Sequence, residues 1–228
     1  MKNSAIIPLT QKAYKIIKEM IIHLQLRPGE LLMVQQLAKN LDISRTPVRE
    51  ALVTLTHEGL VAEAEGRKFK VTEVTITSIN EIFSIREALE CHAIREVIDS
   101  YTKEDLDEAG TIIEKMKVAL QNKEFDLFFS LDNEFHYTYL NKYNNSLLNK
   151  MMVQIDDKIQ RIRYFTYYIN QRLAMTIREH EEILRGFEQG NVDIAQNGLK
   201  IHLDNVKNGM QELLINSSFK QYGANVLK

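Results

Sequence analysis

Four side chains in the second half of this 228-residue chain could together do metal chemistry. Asp132 and His136 stand four residues apart in the run Phe125, Phe128, Phe129, Phe135, Tyr139, Leu140. That spacing is one helical turn, so a carboxylate and an imidazole fall on or beside one apolar face. His180 recurs with Leu173, Ile177, Leu184 and Phe187, and His202 with Ala195, Leu199, Val206 and Leu213. A lone histidine on such a stripe is most often a hydrogen-bonded core residue. Three of them with an aspartate ask for a shared explanation, because an ionised carboxylate costs several kcal/mol to bury unless something positive meets it. A divalent ion held by Asp132, His136, His180 and His202 resolves that cost. Zinc suits imidazole-rich ligation best; nickel, manganese and iron take the same donors, and spacing does not choose among them. His23, His57 and His92 lack any such setting.

Two arginines stand near these stripes. Arg86, among Ile82, Phe83, Leu89 and Glu90, has two readings. It pairs with Glu90 one turn on, worth only about 0.3–0.5 kcal/mol at a surface. Alternatively it anchors the carboxylate of a ligand, for which a guanidinium is a matched fork. Arg163, beside Leu148, Met152, Ile155, Ile159 and Ile162, is a second anchor candidate.

A different chemistry lies in residues 44–52, Ser-Arg-Thr-Pro-Val-Arg-Glu-Ala-Leu. Ser44 is expected to cap a helix that begins at Arg45 and tolerates Pro47 in its first turn, where the N–H has no intrahelical partner to lose. Val48, Ala51, Leu52 and Leu55 bury one face; Arg45, Thr46 and Arg49 fall on another, near the N-terminal end. A recognition helix enters the major groove by that end, and arginine grips guanine O6 and N7 with two parallel bonds. The competing reading, solvated surface charge, fits any one arginine but not the whole constellation.

These residues need elements to hold them. The stripe Tyr14, Ile17, Ile21, Leu24 makes a supporting helix that stops before Arg27-Pro28-Gly29-Glu30. A short helix over 34–40 carries Gln35 and Gln36, placed to touch phosphates, and Asp42-Ile43-Ser44 is the turn. After Gly59, suited to a left-handed cap, strands Val61–Ala64 and Phe69–Thr72 flank a tip of Gly66, Arg67 and Lys68. Residues 73–77 form a joint, with Thr77 or Ser78 capping the next helix. From there the periodicity is helical, broken near 99–102, 121–123, 142–145, 169–171 and 190–191, which leaves six helices. The expected fold is mainly α: a winged helix-turn-helix over 1–74, an all-helical six-helix bundle over 75–216, and a polar tail over 217–228.

Charge divides the same way. Residues 1–72 hold 11 Lys+Arg against 7 Asp+Glu, and the remainder 18 against 24. Only the first part suits phosphates. A single cysteine, Cys91, excludes an intrachain disulfide and suits a reducing cytoplasm. No apolar run approaches the roughly 18–20 residues that span a bilayer, so no membrane partner is expected.

Pro28-Gly29-Glu30, Leu37-Ala38, Ser44 to Leu52, Glu58-Gly59-Leu60 and Gly66-Arg67 resemble the winged helix of GntR-family bacterial transcription regulators. Arg86 to Glu90, Asp132 to His136, His180 and His202 resemble the R-x-x-L-E, D-x-x-F-H and later histidine elements of the FCD effector domain in its FadR-type branch. The resemblance implies a cytoplasmic homodimer on a pseudo-palindromic operator, with a small organic acid sensed in the helical domain, often through a bound metal. It matches Arg45, Thr46, Arg49 and Gly66 to positions that contact DNA, and Asp132, His136, His180 and His202 to metal ligands. Lys68 departs from a frequent second glycine, and Asn144-Asn145 from Gly-Asn. Two other readings stand beside an acid-responsive regulator. One is a metal-ion sensor; the other is a metal-dependent hydrolase, for which no general-base motif is evident. The expectation is that the chain is not an enzyme.

Overall fold

The computed structural model describes residues 8–163 and 170–215. The tail expected from 217 lies outside them, as does residue 169 of the break expected at 169–171, while 170 and 171 already belong to a helix. The described residues form two compact units: 8–75 with 160–163, and 76–159 with 170–215.

In the first unit, α1 (Leu9–Ile22), α2 (Val34–Leu41) and α3 (Arg45–His57) pack with a small sheet of β1 (Leu31–Leu32), β2 (Val61–Ala64) and β3 (Lys68–Val71). Ala13, Ile17 and Ile21 of α1 share one buried cluster with Val48, Ala51, Leu52 and Leu55 of α3 and with Phe69 and Val71 of β3. Helix α1 ends earlier than its stripe suggests. Leu24 has φ +58° and stands outside it, and Leu26 takes the buried place, its N–H reaching Met20 O at 2.9 Å.

Ser44 occupies the N-cap of α3 in extended conformation, but its side chain makes no capping bond, contrary to expectation. The other end closes as expected: Gly59 has φ +74°, and Leu60 N–H donates to Leu55 O at 3.0 Å. The sheet order is β1-β3-β2. Strand β1 escaped the sequence reading because two residues carry no periodicity. Ala64 pairs with Lys68, so Lys68 belongs to β3 and the tip is Glu65-Gly66-Arg67. Gly66 and Arg67 both have positive φ, +74° and +60°; glycine bears this freely, whereas for arginine it costs about 1–2 kcal/mol.

The second unit contains α4 (Ile76–Val97), α5 (Lys103–Gln121), α6 (Phe125–Tyr143), α7 (Ser146–Arg163, its last turn grouped with the first unit), α8 (Asn170–Glu188) and α9 (Val192–Ile215). Six helices were expected and six are found among the described residues. Because α4 starts at Ile76, Thr77 and Ser78 lie in its first turn rather than capping it. Asn144 ends α6 with φ +52°, the left-handed conformation a glycine would take; asparagine is among the few residues that visit it at modest cost. Asn145 Oδ1 then accepts from Leu147 N–H and Leu148 N–H at 3.1 Å each and opens α7.

One close approach positions the histidines. A Cβ on Gly186 of α8 would lie 2.3 Å from the Ala195 backbone nitrogen of α9, and one on Gly198 of α9 would lie 3.2 Å from Ile183 N. Missing side chains at these two points let α8 and α9 pack backbone to backbone, which draws His180 and His202 together. Among the described residues, no helix is long and apolar enough to cross a membrane.

Candidate functional site

Helix α6 supplies Asp132 and His136, α8 supplies His180 and α9 supplies His202. All four are buried, and one donor atom from each lies within 4.8 Å of all the others. The three rings pack with centroids 5.1 Å (His136–His180), 5.1 Å (His136–His202) and 4.7 Å (His180–His202) apart. Ligands of one ion lie about 2 Å from it, hence no more than about 4 Å from one another. The cluster meets that limit with a contraction of about 1 Å.

The hydrogen bonds decide which nitrogen faces the centre. His136 Nδ1 lies 2.6 Å from Glu90 Oε2 and 2.7 Å from Tyr139 Oη. His202 Nδ1 lies 2.9 Å from Glu179 Oε2. A carboxylate only accepts, so in both rings Nδ1 carries a proton and Nε2 is the nitrogen left to face the centre. Among the described residues, Nε2 of His136, Nε2 of His202 and both nitrogens of His180 are buried without a hydrogen-bond partner. His180 Nε2 lies 3.4 Å from Asp132 Oδ1. Buried polar atoms are rarely left unsatisfied, and here they converge beside a carboxylate. Burial, reinforced by its neighbour His202, pushes His180 well below the ordinary histidine pKa. Burial also lowers His202, against the opposing pull of Glu179. Both rings are therefore neutral at pH 7, and the donor set fits a divalent cation.

Around the centre, Glu90 is a hub. It accepts from Arg86 Nε, from Tyr139 Oη and from His136 Nδ1. Burial opposes its ionisation, but Arg86, His136 and Tyr139 outweigh burial and hold the carboxyl well below the usual range. Arg86 is thus deeply buried, not merely near an apolar stripe. Of its two expected readings, the pair with Glu90 is present. Its Nε makes the pair with Glu90, while Nη1 and Nη2 are buried without a partner among the described residues. The carboxylates of Asp156 and Asp132 also act on its charge. Arg163 is buried at the end of α7, in the turn grouped with the first unit rather than with Asp132 and the three histidines.

Glu179, adjacent to His180 in sequence, is a second hub. It accepts from Arg172 Nη1 and Nη2 at 3.1 and 2.8 Å, from Asn205 Nδ2 at 2.8 Å and from His202 Nδ1. Sequence reasoning missed Tyr139, Glu179, Arg172 and Asn205 as parts of the site. A glutamate next to a stripe histidine was the available signal for Glu179.

The first unit presents an open cleft lined by Gln35 of α2, Arg45, Thr46 and Arg49 of α3, and Gly66, Arg67 and Lys68 of the hairpin. These seven meet there and all are exposed, whereas Gln36, also singled out in the sequence, does not line the cleft. The Arg49 guanidinium lies over the Phe69 ring, 5.5 Å from its centroid, and the residue remains exposed. Glu50 also lines the cleft but accepts from Thr10 Oγ1 at 2.8 Å.

Residues 9–71 match the family described as bacterial regulatory proteins, gntR family, and residues 81–205 match the FCD domain. The chain is 23% identical over 206 residues to the HTH-type transcriptional repressor RspR of Escherichia coli (strain K12), spanning 90% of each. It is 29% identical over 198 residues to the HTH-type transcriptional regulator YdhC of Bacillus subtilis (strain 168), spanning 86% of this chain and 88% of that one. The solved structure of E. coli McbR/YncC shares the fold, with a TM-score of 0.72 and 23% identity over 95% of this chain and 100% of that one.

Proposed function

The chain belongs to the gntR family of bacterial regulatory proteins, in the branch that carries an FCD domain, whose members are transcription regulators and not enzymes, and from that premise we propose a cytoplasmic, acid-responsive, metal-dependent regulator. In this reading a domain over 1–74 reads a pseudo-palindromic operator as a homodimer, using Gln35, Arg45, Thr46, Arg49, Gly66, Arg67 and Lys68. A domain over 75–216 holds one divalent ion, most readily zinc, on Asp132, His136, His180 and His202, and senses a small organic acid. Residues 217–228 are a tail.

The observation that carries the finer part is the convergence of unpartnered imidazole nitrogens beside the Asp132 carboxylate, with two unpartnered Arg86 nitrogens in the same buried neighbourhood. The ion would neutralise Asp132 and offer open positions to a carboxylate. Arg86 supplies the other half of such a pocket: its Nε is held by Glu90, which aims the Nη1/Nη2 fork. Arg163, buried elsewhere, is the weaker candidate for the acid. Binding shifts the population of the helical domain and, through it, operator affinity. Such coupling amounts to about 1–3 kcal/mol, or roughly 5- to 150-fold in affinity.

The test starts with an operator selected from random duplexes. Titrating zinc-loaded protein with a panel of sugar acids, hydroxy acids and dicarboxylates should move operator affinity within that range for one class. An unmoved affinity across the panel, with zinc bound, rejects acid sensing and favours the ion itself as the signal. On the same operator, Arg49→Ala is expected to lose about 1–3 kcal/mol and to relax preference at one base pair. Equal weakening on random DNA would reduce Arg49 to a phosphate contact.

A further inference from the structure

The three imidazoles are not held alike. His136 and His202 each give Nδ1–H to a buried carboxylate, Glu90 and Glu179 respectively. His180 Nδ1 has no such partner among the described residues: neither ring nitrogen makes a hydrogen bond, and Nε2 only approaches Asp132 Oδ1, at 3.4 Å. Its ring lies flat on Phe135 instead, with centroids 4.3 Å apart and planes 13° from parallel.

A hydrogen bond from Nδ1 does two things that stacking does not. It fixes the tautomer, so the lone pair is always on Nε2, and it raises the basicity of that lone pair. Stacking fixes only the ring plane and leaves either nitrogen free to carry the proton. The carboxylates are themselves restrained. Arg172 grips Glu179 through both terminal nitrogens and Asn205 holds its Oε1, while Arg86 and Tyr139 hold Glu90. Restraint of this kind matters because a ligand a few tenths of an ångström out of place loses much of its bond.

Resting on the metal reading above, we infer that Glu179 and Glu90 are positioning residues that pre-set His202 and His136 for the ion, and that His180 is the ligand left to adjust. Glu179 is the better one to test, since altering Glu90 strands the buried Arg86. Loss of such a partner usually weakens metal affinity about 10- to 100-fold.

Two measurements on the full chain decide it. Long-range proton–nitrogen NMR of the metal-free wild type should show His136 and His202 as Nδ1–H tautomers and His180 as a mixture or the other tautomer. Zinc affinity, by competition with a chromophoric chelator, should fall about 10- to 100-fold in Glu179→Gln, with the His202 tautomer signature shifting in the same variant. Three identical tautomer patterns, or unchanged zinc affinity in a folded Glu179→Gln, overturns the inference while leaving the metal centre intact. A wild type that binds no zinc overturns both. Should Glu179→Gln fail to fold, the wild-type tautomers and the milder Asn205→Ala, which only loosens Glu179, carry the test; an Asn205→Ala affinity equal to wild type with indistinguishable tautomers counts against it.

Discussion

His180→Ala should give a chain that folds but no longer gains stability from a divalent ion. In the wild type, an ion that binds only the folded state adds RT ln(1 + [ion]/Kd), about 4.1 kcal/mol at roughly 1,000 times Kd. In a chain of this size each kcal/mol moves the midpoint by about 2–4 °C, so zinc is expected to raise Tm by on the order of 10 °C. Removing one of four donors should erase most of that rise. The fold itself should survive better than a buried substitution normally allows. His180 brings two unsatisfied nitrogens into the core, and deleting them offsets part of the cost of the cavity beside Phe135. Elemental analysis and thermal scans of both proteins, with and without zinc, make the comparison. One ion per chain in the variant as in the wild type would remove His180 from the centre, whereas no ion in the wild type would return the inward histidines to ordinary core polar groups.

The larger cost to the metal-free fold should come from Glu90→Leu, at about 3–5 kcal/mol. The reason is an asymmetry. An ion pair buried with its hydrogen bonds in place is close to neutral against an apolar pair of the same volume, but one member left alone is an uncompensated charge in the interior. Arg86 is among the largest fully buried side chains of the described residues, and without Glu90 it keeps only the carboxylates of Asp156 and Asp132 acting on it through space. His136 Nδ1 and Tyr139 Oη would lose their shared acceptor as well. The double variant Arg86→Met with Glu90→Leu should recover most of the loss. Urea unfolding of the metal-free proteins at pH 7 measures this cycle. A loss below about 1 kcal/mol in the single variant, or no recovery in the double, would show that Glu90 is not what makes Arg86 tolerable in the core.

The burial of Arg86 shows where a linear reading stops. Four-residue spacing proposed the pair with Glu90, and that pair exists. Spacing could not weigh it, because the pair's worth depends on the dielectric around it. The same spacing at a surface is worth a few tenths of a kcal/mol; inside, its integrity decides whether the helix can pack. The charge excess in the first 72 residues and the phase of Arg45, Thr46 and Arg49 against Val48, Ala51, Leu52 and Leu55 likewise needed only local order, since helix phase follows from residue number alone.

By itself, then, the sequence determined the helical class, most of the breaks between helices, the face each histidine occupies and the family, because periodicity, glycine and proline punctuation and short motifs are local properties of the chain. Tertiary structure alone decided what each inward group meets. Glu90 reaches His136 across 46 residues and Tyr139 across 49, and Glu179 reaches His202 across 23. Those contacts arise from how α4, α6, α8 and α9 pack, and in particular from the close approach at Gly186 and Gly198. A stripe says that a side chain points inward; only the packed neighbours determine whether it finds a carboxylate, an aromatic ring or nothing.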